Sequence, residues 1–387
     1  MTTSDFSPGL DIGRLALAPR DVPHLALETN RTCNMRCRLC YNLDRDYVKS
    51  LDEVKADLDT ALRLRNLAAV TILGGEPTLY PELPEVISLV KSRGLFCALL
   101  TNGLRLLDHD GPALLDRIKQ AGVDRVYIHV DSGQTHVHAD IESVRGRLSD
   151  LLESARVPFA LSVTIYGSDG DALAAAVRRY SRYRYFEGIL ALLAHDPGGP
   201  IDRRLDLRSQ YGSLKKELGL EPLSYIPADR DDSDVRWLIY FYVIDAEKGE
   251  VFPVSARVQR LAQRIFRWAP GRQYFAQRLG PSYVKTALVP ILLSEVLLSP
   301  RRAFEVLRLV RRRGPAGRKG GRLKDLRAQF ITIQSPPLID FVAKRASVCY
   351  GCPDATVRNG RLVPVCIADM VSPLDPSRRP ALACPEI

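Results

Sequence analysis

Short apolar segments alternate with longer amphipathic segments along the first half of the chain. Six short apolar segments predict strands, and the stretches between them, such as Ser50–Arg65, space apolar residues as one helix face does. Strands that alternate with helices favour repeated βαβ units and a parallel sheet. The predicted strands are His24–Thr29, Ala69–Leu73, Phe96–Thr101, Arg125–Asp131, Phe159–Tyr166 and Gly188–Ala194.

Six such units are too few for a closed eight-unit barrel, which needs about 250 residues. We therefore predict an α/β fold, a partial (β/α)6 TIM-like barrel, in which Trp237–Ile244 is a further strand. The change in pattern beyond this strand predicts a C-terminal helical insert and a small cysteine-rich region. The predicted division is an N-terminal extension at 1–22, the barrel at 23–245, a basic helical region at 246–346 and the cysteine-rich tail at 347–387.

Positive charge is concentrated in one part of the chain. The 387 residues carry a net charge of +10, yet Ala256–Ala328 alone holds 18 Lys and Arg against three acids, so the remainder is net negative. Cationic helices with apolar faces suit an anionic membrane surface or a phosphorylated ligand. The alternative is an amphipathic layer with an arginine-rich solvent face, and no motif favours specific nucleic-acid binding.

Cysteine usage points to metal rather than to disulfides. The chain shows neither a secretory signal pattern nor an apolar run of about 20 residues, so we expect a cytoplasmic protein, with membrane association as the alternative. Seven of the eight cysteines fall into spaced groups near the two ends. In a reducing compartment, such groups are typical of metal ligands.

The first group, Cys33-Asn-Met-Arg-Cys37-Arg-Leu-Cys40, directly follows the first predicted strand. Three thiolates in one loop can bind three irons of a cubane cluster and leave the fourth iron without a protein ligand. An open metal position distinguishes a catalytic site from a closed structural one. The alternatives are a zinc knuckle, although zinc sites prefer paired Cys-x2-Cys units, and three reduced core thiols.

This Cys-x3-Cys-x2-Cys spacing resembles the radical SAM superfamily. The resemblance implies that a 4Fe–4S cluster on Cys33, Cys37 and Cys40 binds S-adenosyl-L-methionine (SAM) and cleaves it reductively to a 5′-deoxyadenosyl radical. A one-electron donor such as flavodoxin or ferredoxin is implied as a partner. The position before the third cysteine is usually aromatic in the family; here it is Leu39, and Tyr41 follows the motif instead.

The resemblance extends to the ends of the next strands, where barrel active sites form. Gly74-Gly75-Glu76-Pro77 is similar to the family motif that fixes the SAM amino group, because glycines allow close backbone approach and a carboxylate pairs with an ammonium. A plain turn is the alternative for these residues. The family pattern also implies SAM contacts from Tyr41, Asn102, Asp131, Ser132 and Ser162.

The second group comprises Cys349, Cys352, Cys366 and Cys384. The Cys-x2-Cys-x13-Cys spacing resembles the auxiliary-cluster (twitch/SPASM-like) segment of the GTP cyclase of molybdenum-cofactor biosynthesis. It implies an auxiliary 4Fe–4S cluster on the first three, with Cys384 as a candidate fourth ligand. The arginines that follow the second cysteine in that cyclase are absent from Pro353–Thr356 here, which argues against GTP as substrate. A zinc-ribbon-like site is the alternative.

Together these motifs predict a metal-binding oxidoreductase. The expected enzyme abstracts a hydrogen atom from an unidentified biosynthetic substrate, which is a small molecule, a peptide or a lipid, with help from the auxiliary cluster. The first alternative is a radical SAM enzyme that modifies lipids at a membrane surface, suggested by the basic region. The second alternative is a non-enzymatic iron–sulfur or zinc protein.

Overall fold

A computed structural model describes the main sheet, its connecting helices and the segments that contain both cysteine groups. Most of the basic segment Ala256–Ala328 lies outside the described residues, so its predicted helices stay predictions. The described residues are 12–37, 39–134, 137, 139–166, 170–194, 207–229, 234–245, 249–255, 257–258, 261, 293–298, 326–374, 377–385 and 387.

Within the described ranges the main sheet has eleven strands, and its largest part is a run of adjacent parallel strands in chain order. The strands lie in the order β1-β8-β9-β11-β7-β6-β5-β4-β3-β2, with β10 paired to β9. They are β1 (Gly13–Arg14), β2 (His24–Glu28), β3 (Ala69–Leu73), β4 (Phe96–Thr101), β5 (Arg125–His129), β6 (Phe159–Ile165), β7 (Phe186–Leu193), β8 (Ser224–Pro227), β9 (Val235–Asp245), β10 (Glu250–Pro253) and β11 (Leu326–Gln334).

Helices connect the parallel strands and cover one face of the sheet. Alternate strand residues such as Leu27, Ile72 and Leu161 point into the main core beneath the helices. None of these described helices packs against the opposite face, which carries Ala98 and Tyr127, and we call it the helix-free face. The helices are α1 (Leu51–Leu64), α2 (Leu83–Ser92), α3 (Gly111–Ala121), α4 (Ile141–Ala155), α5 (Gly170–Tyr180) and α6 (Leu207–Leu218).

The predicted fold class is confirmed, and the six predicted barrel strands correspond to β2 through β7. The assignment of 246–346 as a helical region is wrong in part: Glu250–Pro253 is strand β10 of the main sheet, and Leu326–Gln334 is strand β11. Strand β11 pairs antiparallel with β9 and parallel with β7. Ile331 and Ile333 join the main core, as alternate residues of a strand do. The arginine-rich residues before them made this part of the sequence resemble the basic helices instead. The other predicted boundaries stay predictions.

The C-terminal segment packs beside β2, the strand at one end of the sheet. It contains β12 (Leu338–Asp340), β13 (Arg345–Ser347), β14 (Ala355–Arg358), β15 (Arg361–Pro364) and the short helix α7 (Ala368–Val371). Positive φ angles at Asn359 (50°) and Gly360 (74°) close the hairpin of β14 and β15. Buried Arg65 donates hydrogen bonds of 3.0 Å to the carbonyls of His24, Gly351 and Cys352 and so holds this segment against β2.

Candidate functional site

The candidate site lies along the carboxyl ends of the parallel strands. Cys33, Cys37 and Cys40 (the first cysteine trio) follow β2, Gly74–Pro77 follow β3, Asn102 follows β4 and Asp131 lies just beyond β5. Carboxyl ends of adjacent parallel strands meet at one edge of a sheet, which is where ligands bind in open α/β folds. Ser162 differs, because it lies inside β6, opposite His129 and Leu190.

The loop of the first cysteine trio brings its thiols into one electrostatic environment. Burial, together with the neighbouring charges of Cys40, Asp131 and Cys33, raises the pKa of Cys37 to about 11. Burial likewise raises the pKa of Cys33, with contributions from Glu76 and Cys40. All three thiols are partly exposed and unoxidised. A metal that binds here must therefore displace thiol protons, as metal binding to cysteine generally does.

The Gly74–Glu76 loop lies directly against the residues that precede Cys33. The Gly75 amide donates to the Asn30 carbonyl at 2.7 Å and the Glu76 amide to the Thr32 carbonyl at 2.8 Å. A Cβ at Gly75 would lie 2.2 Å from the Arg31 carbonyl oxygen, and one at Gly74 would lie 2.2 Å from that of Asn30. Only glycine permits this approach, so the motif fixes the start of the cysteine loop.

The Glu76 carboxylate is buried and accepts four hydrogen bonds from its own chain. One oxygen accepts from the Thr78 amide (2.9 Å), the Thr78 hydroxyl (2.5 Å) and the Thr101 hydroxyl (2.6 Å), and the other accepts from the Asn102 amide (2.7 Å). Burial raises the pKa of Glu76, while these bonds oppose the rise. The carboxylate therefore ties the end of β3 to the end of β4, and its predicted contact with SAM stays a prediction.

Asn102 connects β4 to the first cysteine trio. Its side-chain amide donates to the Asn34 side-chain oxygen at 2.8 Å and lies 3.9 Å from the Cys33 sulfur. Tyr41, by contrast, packs with Ala26, Leu73 and Val365 on the helix-free face. The aromatic ring that we expected near SAM thus forms the contact between the cysteine loop and the C-terminal segment.

Asp131 is a buried carboxylate that orients its neighbours. It accepts hydrogen bonds of 2.9 Å from the amides of Gly133 and Thr164, and the Nε2 atom of His129 lies 2.9 Å from Oδ2. Burial alone would raise the pKa of Asp131, but the bonds from His129 and Thr164 hold it below its usual value. Its oxygens are engaged within the protein and Ser132 is exposed, so their predicted ribose contacts stay predictions.

His129 is a candidate functional residue that the sequence analysis did not select. Its side chain is 33% exposed, lies at the end of β5 and is held between Asp131 and the Thr164 hydroxyl, 3.3 Å away. A half-exposed imidazole fixed by a buried carboxylate is suited to bind a ligand or to exchange a proton. Strand alternation places His129 on the same face as Arg125 and Tyr127, and this pattern could have identified His129 from the sequence.

Three of the four C-terminal cysteines also come together. They are Cys349, Cys352 and Cys366, which we call the second cysteine trio. Burial raises the pKa of each thiol, and a neighbouring thiolate of the trio or an acidic group raises it as well. The pKa of Cys349 rises to about 12. The Trp237 indole N–H donates to the Cys349 sulfur at 3.0 Å. The structure separates Cys384 from them: its thiol is exposed, and Arg361 is the charged group that acts on it. This position does not support Cys384 as a fourth ligand.

The donor sets fit iron–sulfur clusters, because each site offers three cysteine thiols. Among the described residues, no group of three or more His, Cys, Asp or Glu side chains converges closely enough to hold one ion. Each thiolate of a cubane cluster binds its own iron, so cluster ligands need not converge on one point. Two trios of sulfur donors, whose thiols influence one another's pKa within each trio, match that requirement.

No helix within the described ranges is long and apolar enough to cross a membrane.

Comparisons with known proteins match the part of the chain that carries the first cysteine trio. Residues 27–190 match the family model of the Radical SAM superfamily. A probable GTP 3′,8-cyclase of Methanococcus maripaludis is 27% identical over 154 residues, which cover 37% of this chain and 50% of that protein. GTP 3′,8-cyclase 1 of Mycobacterium tuberculosis is 33% identical over 122 residues, which cover 28% of this chain and 32% of that protein. The matched part thus spans half or less of these relatives.

One similar solved structure is Streptococcus suis SuiB bound to the precursor peptide SuiA. The sequence identity is 13% and the TM-score is 0.38, with 45% of this chain and 39% of that chain covered.

Proposed function

We propose, from the match of residues 27–190 to the Radical SAM superfamily model, that the protein is a radical SAM enzyme that cleaves SAM at a 4Fe–4S cluster held by Cys33, Cys37 and Cys40. When bound, this cluster supplies the electron that breaks a carbon–sulfur bond of SAM and yields the 5′-deoxyadenosyl radical. The radical would then take a hydrogen atom from a substrate C–H bond that has no polar handle for acid–base chemistry.

One observation carries the proposal: three partly exposed thiols share one electrostatic environment, and a glycine loop packs directly against the backbone that precedes them. Three thiolates leave one iron of a cubane open. The loop Gly74–Glu76 is the surface nearest to the residues that precede Cys33. Backbone groups at such a glycine loop can approach a small ligand closely.

Residues of the neighbouring strand ends would complete the site. Asn102 is placed to orient the loop through Asn34, and Glu76 fixes the ends of β3 and β4 relative to each other. His129, held by Asp131, is the exposed polar group of β5 that would contact SAM or the substrate. The substrate, which we expect to be a small molecule, a peptide or a lipid, would lie along the helix-free face.

The second cysteine trio would hold an auxiliary 4Fe–4S cluster with three protein ligands. The support is the burial and shared electrostatics of Cys349, Cys352 and Cys366. Val365, beside Cys366, packs against Ala26 and Leu73 of the helix-free face. An auxiliary cluster there would be close enough to that face to exchange an electron with the substrate or to bind it. A flavodoxin or ferredoxin would supply the electron for the first cluster.

The decisive experiment is anaerobic reconstitution, reduction with dithionite and incubation with SAM. We expect 5′-deoxyadenosine from the wild type and from Cys384→Ala, but none from Cys37→Ala. A wild-type protein that is loaded with iron and sulfide yet forms no 5′-deoxyadenosine would instead favour a non-enzymatic electron carrier. Equal product from Cys37→Ala would also refute the proposal.

Iron analysis tests the auxiliary cluster separately. About eight iron atoms are expected in the wild type and in Cys384→Ala, and about four in the double variant Cys349→Ala/Cys352→Ala. Loss of about four iron atoms in Cys384→Ala would show that Cys384 is a ligand after all. Zinc in the second site with four iron atoms in the first would contradict an auxiliary cluster.

A second candidate, a radical SAM enzyme that acts on membrane lipids, is favoured by the 18 basic residues within Ala256–Ala328. Binding to anionic vesicles at low salt that weakens as salt is added would support it. Vesicles of neutral phosphatidylcholine are the matched control. Absence of flotation with either composition would leave a soluble substrate.

A further inference from the structure

Four buried charged residues join the strand that precedes the first cysteine trio to the segment that carries the second. Glu28 and Arg31 lie at the end of β2, and Arg358 and Asp369 belong to the C-terminal segment; none is more than 4% exposed. Arg31 pairs with Glu28 (3.1 Å) and with Asp369, and Arg358 pairs with Glu28 (2.6 Å) and with Asp369 (3.5 Å). We call this neutral ring of four the clamp.

Asp369 extends the clamp to the far end of the first cysteine loop. Its second carboxylate oxygen accepts a hydrogen bond of 2.8 Å from the Leu43 amide and a longer one of 3.4 Å from the Asp44 amide. Arg31 lies two residues before Cys33, and Leu43 lies three residues after Cys40. One carboxylate from the C-terminal segment therefore holds both ends of the loop that carries the first trio.

The same carboxylate is tied to the second trio by a short stretch of chain. Asp369 is three residues after Cys366, at the start of α7. Further contacts keep the two regions together: Asp44 accepts from the Leu374 amide at 2.9 Å and pairs with Arg378. Asp369 is thus a direct connection from the chain that follows Cys366 to the first cysteine loop, and loss of its carboxylate would leave two buried arginines to share the Glu28 carboxylate, at a high cost.

We propose that Asp369 is a positioning residue that couples the two cysteine trios. It sets the shape and the local charge of the first cysteine loop, and occupation of the second trio sets the position of Asp369 in turn. This inference rests on the proposed function for its redox readout only. Its structural part, the retention of the loop by Asp369, applies equally to the protein without clusters.

Hydrogen exchange of the cluster-free protein tests the structural part. The amides of Leu43 and Asp44 should exchange faster in Asp369→Ala than in the wild type, because their acceptor is gone. Asp340→Ala is the matched control: exposed Asp340 likewise accepts from two backbone amides, those of Val342 and Ala343, in the β12–β13 hairpin. Unchanged exchange at Leu43 and Asp44 in a folded Asp369→Ala protein would overturn the proposal.

The potential of the first cluster tests the charge. Asp369→Asn keeps an oxygen acceptor for the Leu43 amide but removes a buried negative charge, so the potential of the first cluster should shift to more positive values. Asp340→Asn should leave it unchanged. A folded, cluster-loaded Asp369→Asn protein with the wild-type potential and the wild-type electron paramagnetic resonance spectrum would refute the electrostatic role.

Coupling is tested by combining Asp369→Asn with Cys366→Ala. We expect Cys366→Ala to alter the resonance spectrum of the first cluster in the wild-type background and to have a smaller effect in the Asp369→Asn background. Equal, additive effects would overturn the coupling. Should Asp369→Asn not fold, Asp369→Glu retains the charge and displaces the carboxylate, and normal exchange at Leu43 in that variant would count against the proposal. A wild-type protein without a first cluster would contradict the proposed function and leave the exchange result valid.

Discussion

Substitution of Gly75 by alanine gives the sharpest test of how the cysteine loop is held. The new Cβ would lie 2.2 Å from the Arg31 carbonyl oxygen and 2.4 Å from that of Thr32. Both atoms belong to the backbone, so neither can move aside by a change of rotamer. The two segments must separate, which breaks the hydrogen bonds from Gly75 to Asn30 and from Glu76 to Thr32.

The expected cost follows from these contacts. Each lost hydrogen bond contributes about 0.5–1.5 kcal/mol, and forcing a methyl group into packed structure costs about 1–3 kcal/mol. Gly75→Ala should therefore lower the free energy of unfolding by roughly 2–6 kcal/mol and reduce the iron bound by the first trio. The matched control is Gly146→Ala in α4, where a Cβ meets no atom within 4 Å. It should stabilise the protein by about 0.5–1 kcal/mol.

Urea unfolding monitored by circular dichroism, together with iron analysis, measures both effects. The reasoning fails if Gly75→Ala lies within about 0.5 kcal/mol of the wild type, the range of ordinary surface substitutions. It also fails if the variant is destabilised yet loads the first trio normally, because the loop would then not determine the position of the cysteines.

Three further substitutions test other parts of the site. The pKa of Asp131 is depressed in the folded protein, so its carboxylate should stabilise the fold above about pH 4. In urea titrations, the free energy of unfolding of the wild type should exceed that of Asp131→Asn at pH 7, and this difference should shrink as the pH falls through about 4 and below. Trp237→Phe removes the N–H donor to the Cys349 sulfur, so the potential of the auxiliary cluster should shift to more negative values in a redox titration. Arg65→Leu leaves three buried carbonyls without their donor. It should therefore lower the free energy of unfolding by about 3 kcal/mol and reduce the iron bound by the second trio. Wild-type values for both measurements would contradict the role given to Arg65.

The sequence predicted the fold best where the local pattern of apolar residues matches the burial of those residues in the folded protein. The strands of the parallel sheet are apolar over nearly their whole length, as buried parallel strands are, and each was located to within a few residues. The first cysteine trio and Gly74–Glu76 are close in the fold because both follow adjacent parallel strands, a relation that strand order alone implies. Cys97 is buried in the core, as its apolar neighbours in the sequence indicate.

Long-range partners were beyond the reach of the sequence. Glu76 and Asp131 were predicted as ligand contacts from their positions at strand ends, but their hydrogen bonds to Thr101 and Thr164 come from other strands. The link from Asp369 to Arg31 joins residues 338 positions apart. β11 was missed because its neighbours in the sheet, β9 and β7, are both distant in the chain.

The placement of β11 has a consequence for how this protein can vary. The chain leaves the sheet after β10, which pairs with β9, and returns at Leu326, directly opposite Asp245, the last residue of β9. The connection from β10 to β11 holds nearly all of the basic segment, and lengthening such a connection costs little, about 0.6 kcal/mol for each doubling. Insertions and deletions between β10 and β11 should therefore be tolerated without disturbing either cysteine trio, so the cationic region can diversify independently of the barrel.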